Sequence, residues 1–400
     1  MLSLTFAAAC TQKLPNYPPA YREYAYVTNG RSNSVSVLDM RDYKSLATIP
    51  VGVNPTGVAA NSQKNEVYVV NTGSNSLSVI DAEQNKVVAT IGLEHTPYFV
   101  DVSANGSRAY VANSASDSVS VIDLIGRRVL RNVSVGKSPG LARIARDGKT
   151  VVVAERIGNS VSVIDAEKMT VRSSLPICQQ PTDVEILPDS AKAFVSCSGS
   201  AQVAVIGLNR SSETGNEPSP VQKGRGKPRA QQSNQEQPSG PDRVLALLDV
   251  GATPLHLALK PDGGEIFVSN FGADTVSEVA TGTDEVGGSY VIGAGPVRGL
   301  VSADNSTLYV SNFDSDTIGV YSTDDGKFLA AVHVGSHPDA LALSPNQNFL
   351  FVADTGAADV SVVRTGVMPP VLLTIIPVGQ QPNAIAVKAF ILRKPPSAQP

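Results

Sequence analysis

Tryptophan is absent from the chain, aromatic residues make up 5% of it, and charged residues only 17%. So little charge excludes a coiled coil and a wholly disordered acidic or basic chain. No stretch reaches the 18 or more apolar residues of a membrane-spanning helix. There are three cysteines and no CxxC or CxxCH, so covalent c-type haem, a Cys-rich zinc site and an iron–sulfur site find no support. A glycine-rich phosphate loop and HExxH are also missing, and the one GxSxG run, GKSPG at 136–140, lies in a link between two strand-like segments and makes no strand-to-helix nucleophile elbow. Nor is there a basic excess: 32 Lys+Arg stand against 36 Asp+Glu, a net charge of -4. That balance disfavours nucleic acid as a partner.

What the chain has is repetition. YAYVTN ends at Asn29, and its relatives end at 71, 113, 155, 197, 270, 312 and 354. The step is 42 residues everywhere except from 197 to 270, which holds 31 extra residues. A second segment follows each first: SVSVLD at 34–39, SLSVID at 76–81, SVSVID at 118–123 and at 160–165. Val/Ile alternating with Ser is the period-2 signal of a strand. The Asn, Gly and Ser between the two suit tight hairpins. A third strand (SLATI at 45–49, VVATI at 87–91) leads through a glycine-bearing link and an X-Pro pair into a fourth. Proline there removes a donor and is expected to hold the preceding residue extended.

Four short antiparallel strands every 42 residues describe a β-propeller blade. A solenoid would need polar capping repeats. Here the N-terminus supplies three strands of a blade and Asn383–Val387 supplies a lone one. Together they close a ring and leave no open edge. The expected fold is therefore an all-β propeller of eight four-stranded antiparallel blades, with seven as the alternative. It forms one domain over 20–390, followed by a tail at 391–400. The 211–241 insertion lacks aromatics and cannot repay its ordering entropy. It reads as a disordered loop and a solvated tether, with a small basic run at Lys223, Arg225, Lys227 and Arg229.

These repeats resemble the YVTN β-propeller family, whose tetrapeptide is Tyr26-Val27-Thr28-Asn29 here. The resemblance runs over roughly residues 24–388. It implies a cell-surface or periplasmic protein, commonly of seven blades. Residues 2–9 are apolar or small and precede Cys10. They resemble the processing box of bacterial lipoproteins, with Ala7 where that pattern prefers Leu. Residues 1–19 are thus expected to be an export signal and tether, truncated at the start, with Cys10 lipidated. A plain signal or a frayed terminus is the alternative. Cys178 and Cys197 remain, enough for one disulfide in an oxidising compartment.

Recurrent residues build the ring. Asp39, Asp81, Asp123 and Asp165, and Asn29, Asn71 and Asn113, are expected in turns and backbone hydrogen bonds. Function belongs where repeats differ. On the innermost strands the parity of Gly57 and Ala59 carries Asp101, Arg143, Asp183, Glu185, His256 and Arg298 in successive repeats, and only small or apolar residues elsewhere. These six are expected at the channel mouth, with His337 and His95 joining from links. They would bind a small polar or anionic ligand, or form ion pairs. Asp101, Asp183, Glu185 and His256 are a candidate set for a divalent cation, without diagnostic ligand spacing.

The leading expectation is a non-catalytic exported propeller, monomeric and without a cofactor. It would present its loop face to a protein, polysaccharide or small polar ligand and touch a membrane only through a lipid anchor. The alternative is an enzyme, since similar propellers include lactonases and dehydrogenase subunits. A cation held by Asp101, Asp183 or Glu185 would polarise a lactone and activate water. His256 would move the proton, and Arg298 or Arg143 would hold the product carboxylate. A periplasmic redox role would need a cofactor, and no attachment motif is present.

Overall fold

A computed structural model describes residues 18–209 and 241–392. Cys10, the 1–17 segment, the basic run at Lys223–Arg229 and most of the 211–241 insertion and the 391–400 tail lie outside the described residues.

Eight four-stranded antiparallel sheets form the ring. Blade one is composite. Its innermost strand is Pro382–Ile391, and Tyr21–Asn29, Ser34–Asp39 and Lys44–Pro50 follow outward. Tyr26 pairs with Ala386 in that seam. The innermost strands of blades two to eight are Pro55–Ala60, Pro97–Val102, Pro139–Ile144, Pro181–Ile186, Pro254–Leu259, Pro296–Val301 and Pro338–Leu343. All eight strands start at the X-Pro prolines, which settles the count at eight rather than seven.

The apolar core lies between neighbouring blades. Tyr68, Val70 and Leu77 of blade two, for example, pack on Val100, Val111 and Ile122 of blade three. Alternating Ser is not wasted in this core. The buried Asn71 amide donates to Ser76 Oγ at 3.1 Å and Ser78 Oγ at 2.9 Å, and Asn29 and Asn113 do the same in their blades. The recurrent aspartates cap turns: Asp81 Oδ1 accepts the Glu83 and Gln84 amides at 2.8 and 3.0 Å.

The residue before each proline is not extended. Asn54, Thr96, Ser138, Gln180, Thr253, His337 and Gln381 have φ of 50–57°. A left-handed residue is costly unless its neighbours repay it, and here two hydrogen bonds do. The Asn54 carbonyl accepts the Thr72 amide at 3.0 Å. The Asn54 amide donates to Oδ1 of Asn33, in the preceding blade, at 2.9 Å. Asn75–Thr96, Asp117–Ser138, Asn159–Gln180, Asp274–Gly295 and Asp316–His337 repeat that tie. The hairpin Asn or Asp therefore latches six of the eight blades to the next; Ala201 and Ala358 hold that position in blades five and eight.

Candidate functional site

The innermost strands enclose a central cavity of about 890 Å³. Asp101, Arg143, Asp183, Glu185, His256 and Arg298 all line it. They do not point at the axis as a ring of free groups. Five of them reach sideways to the next blade, whose innermost strand offers an unpaired edge, and Glu185 receives Arg143 from the blade before it.

Asp101 Oδ2 accepts the Ile144 amide of blade four at 3.0 Å, and its Oδ1 accepts the Val102 amide at 2.9 Å. Arg143 Nε donates to the Val184 carbonyl at 3.1 Å, and Nη2 donates to Glu185 Oε1 at 3.1 Å. The same Nη2 lies 3.7 Å from Asp183 Oδ1. The Phe99 ring lies 5.2 Å from the guanidinium carbon. Asp183 Oδ1 accepts the Val184 amide at 2.9 Å, and Oδ2 accepts the Leu257 amide of blade six at 3.0 Å. His256 Nδ1 accepts the Gly299 amide of blade seven at 3.4 Å, so the proton of the neutral ring sits on Nε2, 3.8 Å from Asp183 Oδ2. Arg298 Nε donates to Asp339 Oδ1 of blade eight at 2.7 Å.

Burial and these neighbours set the protonation states. Burial pushes the Glu185 carboxyl up to about 7; Arg143 pulls it down, while Asp183 and Asp101 add to the rise. Burial raises Asp101 against the pull of Arg143 and the two amides. Burial lowers His256 to about 4; Arg298 and Arg143 lower it further, and Asp183 opposes them. Burial disfavours charged Arg143, but Glu185, Asp101 and Asp183 outweigh it, so its pKa rises. Arg298 is held charged chiefly by Asp339. At neutral pH the arc thus holds neutral His256, Glu185 near its midpoint and both arginines charged.

His337 and His95 stand apart from the cavity lining. His337 packs on Phe313 with ring centroids 4.6 Å apart, and its Nδ1 lies 2.9 Å from Ser336 Oγ. His95 Nδ1 lies 3.3 Å from Asn75 Nδ2 on the exposed rim. Among the described residues, no group of three or more His, Cys, Asp and Glu side chains is arranged to hold a metal ion. Cys178 and Cys197 are joined as a disulfide, with Cα atoms 5.8 Å apart.

Two site residues escape a parity argument. Asp339 immediately follows the link proline, where a bulge breaks the alternation between Pro338 and Leu341. Arg156 follows the second strand of blade four and still lines the cavity. Comparing repeats residue by residue finds both. The position after the link proline reads Thr56, Tyr98, Gly140, Thr182, Leu255, Val297, Asp339 and Asn383.

Residues 14–146, about a third of the chain, match the YNCE-like beta-propeller family model. Comparison with curated protein sequences returns no match. Among solved structures, Kuenenia stuttgartiensis hydrazine synthase aligns over 76% of this chain and 92% of its own, at 20% identity and a TM-score of 0.56. Dihydro-heme d1 dehydrogenase NirN in complex with DHE aligns over 90% of this chain and 74% of its own, at 12% identity and a TM-score of 0.70. A functionally unknown protein from Desulfotomaculum acetoxidans DSM 771 aligns over 91% and 98%, at 14% identity and a TM-score of 0.60. At these identities the likeness is one of fold, and the chain is a β-propeller whose first third is similar to the YNCE-like family.

Proposed function

We propose that this protein is an exported, non-catalytic propeller of the YVTN type that binds a small polar or anionic ligand in its central channel. The observation that carries this reading is how the arc's charged groups are committed. Both oxygens of Asp101 and of Asp183 accept backbone amides, and His256 Nδ1 accepts another. Groups fixed in this way make a rigid polar wall and poor proton shuttles. The Cys178–Cys197 disulfide and the lipoprotein-like sequence before Cys10 support an oxidising, exported location with a lipid anchor.

The test is a thermal-shift screen of the full chain against small carboxylates, phosphates, amines and sugars, repeated with Ala384→Phe. Ala384 lines the cavity opposite the arc, so a phenyl ring there takes up channel space facing the arc and leaves the ion pairs alone. Stabilisation by a compound that Ala384→Phe abolishes is the expected result. Equal stabilisation of both proteins would move binding to the outer faces.

One observation favours the hydrolytic alternative: Glu185, with a pKa near 7, is the arc's best proton-transfer group. Turnover of simple lactones that is lost in Glu185→Gln would establish that alternative over the binding reading.

A further inference from the structure

Arg156 is the arginine at the X-Pro mouth without a carboxylate. Arg298, at the same mouth, is bonded to Asp339 at 2.7 Å. Arg156 makes no ion pair among the described residues, and its buried Nε has no hydrogen-bond partner there. An unpaired buried donor costs free energy that a structural role does not explain.

The position has a structural use in other blades, and Arg156 has abandoned it. Thr72, Ser114 and Thr355 occupy it in blades two, three and eight. Their hydroxyls donate to the link-proline carbonyl of the next innermost strand at 2.6, 2.6 and 2.7 Å. Arg156 instead lies back over its own blade's innermost strand. A β-carbon at Gly140 would come within 2.5 Å of Arg156 Nε, 3.1 Å of Cζ and 3.2 Å of Cδ. Any side chain but glycine at 140 would therefore push the guanidinium away. The Tyr98 ring covers it from blade three, 5.2 Å from Cζ. A cation held between a bare backbone and an aromatic face, at the entrance of a cavity, is built to receive something.

We propose that Arg156, seated over Gly140 and backed by Tyr98, is the anchor for an oxyanion, the carboxylate of a ligand whose planar apolar body enters the channel. The guanidinium matches a carboxylate in two-point geometry. Leu255, Val297 and Leu341 line the cavity beyond and suit an apolar body. This proposal rests on the channel-binding reading and gives it a ligand class.

Benzoate is the probe, with inorganic phosphate to separate the oxyanion from the planar body and benzamide as the neutral control. Arginine Nε–H correlation spectra of the full chain, with the Arg156 signal assigned through Arg156→Lys, report the anchor directly. The expected result is a saturable shift of the Arg156 signal by benzoate, weaker by phosphate and absent with benzamide. Arg156→Met should weaken benzoate binding about tenfold or more. Gly140→Ala, which keeps the charge and displaces it, should weaken binding by an intermediate factor and covers the case that Arg156→Met misfolds. Retained benzoate affinity in Arg156→Met, lost in Ala384→Phe, would overturn the anchor and leave the channel reading standing. Absence of saturable binding of either anion to the wild-type chain would overturn the anchor. The wider ligand screen against Ala384→Phe would then decide the channel reading separately.

Discussion

The two halves of the channel wall solve the same problem with different chemistry. Every innermost strand has an edge whose backbone groups need partners. Around blades eight, one and two, small residues such as Ala340, Ala384 and Gly57 face the cavity, and neutral groups make the ties. Thr355 Oγ1 donates to the Pro382 carbonyl at 2.7 Å, Asn383 Nδ2 to the Pro55 carbonyl at 3.0 Å, and Thr56 Oγ1 to the Tyr98 carbonyl at 3.0 Å. From blade three to blade six, carboxylates, a guanidinium and an imidazole make comparable ties. The apolar half shows that closing the ring needs no charge. The charged half therefore carries something that ring closure does not require.

The sharpest way to break this contrast is Arg143→Met. It leaves Asp101, Asp183 and Glu185 facing one another without their shared cation. Stability should fall by about 3–5 kcal/mol, read as a lowered denaturant midpoint at pH 8. The loss should shrink on acidification as Glu185 takes up a proton. Ala342→Ser, in the apolar half, should stay within about 0.5 kcal/mol of wild type. Equal losses from the two would end the distinction between the halves.

A second contrast lies within the repeat itself. Blades one, two and three place an Asn amide against two serine hydroxyls. Blade eight places Asp354 beside Asp359, and one oxygen of each is buried without a partner. Burial raises the Asp354 carboxyl well above the ordinary carboxylate range, and Asp359 adds to the rise. A group whose folded pKa is raised stabilises fully below its unfolded pKa and loses that contribution as pH climbs to the folded one. Asp354→Asn restores the amide, so it should stabilise the fold by about 1–3 kcal/mol at pH 8. It should also reduce the decline in stability as pH rises from about 4, measured by urea unfolding across that range.

Glu185→Gln sharpens the same point on the channel wall. With a folded pKa of about 7 against an ordinary 4.5, Glu185 contributes stability below pH 4.5 that is lost as pH rises through about 7. The variant should flatten the curve in that window and leave it unchanged above. A carbon-detected titration of the wild-type Glu185 carboxyl should give a midpoint near 7. A midpoint below 5 would contradict the burial described for it. Among the charged residues of the channel wall, the smallest effect is expected from Arg298→Met. Its side chain is 40% exposed, and screened pairs of this kind contribute at most about 1 kcal/mol.

Sequence periodicity makes nearly all of the fold legible, because a blade cannot bury its apolar faces alone and each repeat must restate the same strands and turns. The composite first blade follows from three strands at one end and one at the other. The conformation before each proline does not follow from proline's own preference. A bond from the preceding blade, Asn33 Oδ1 to the Asn54 amide, holds a residue left-handed that local sterics would keep extended. The arc from Asp101 to Arg298 is visible as charge on a face the repeats otherwise leave apolar. Its sideways reach is not, since alternation reports which side of a strand a residue occupies and says nothing of the neighbour's edge. Asp339 is hidden by the bulge at Pro338. Arg156 is hidden because it enters the channel from the end of a second strand, over a glycine whose significance is the space it leaves.

The most direct test of the central claim is a crystal structure of the full chain grown with benzoate. The account predicts density for the ligand inside the channel, with its carboxylate on Arg156 and its ring toward Leu255 and Val297. Benzoate bound only on the outer blades, with the channel holding solvent alone, would contradict it.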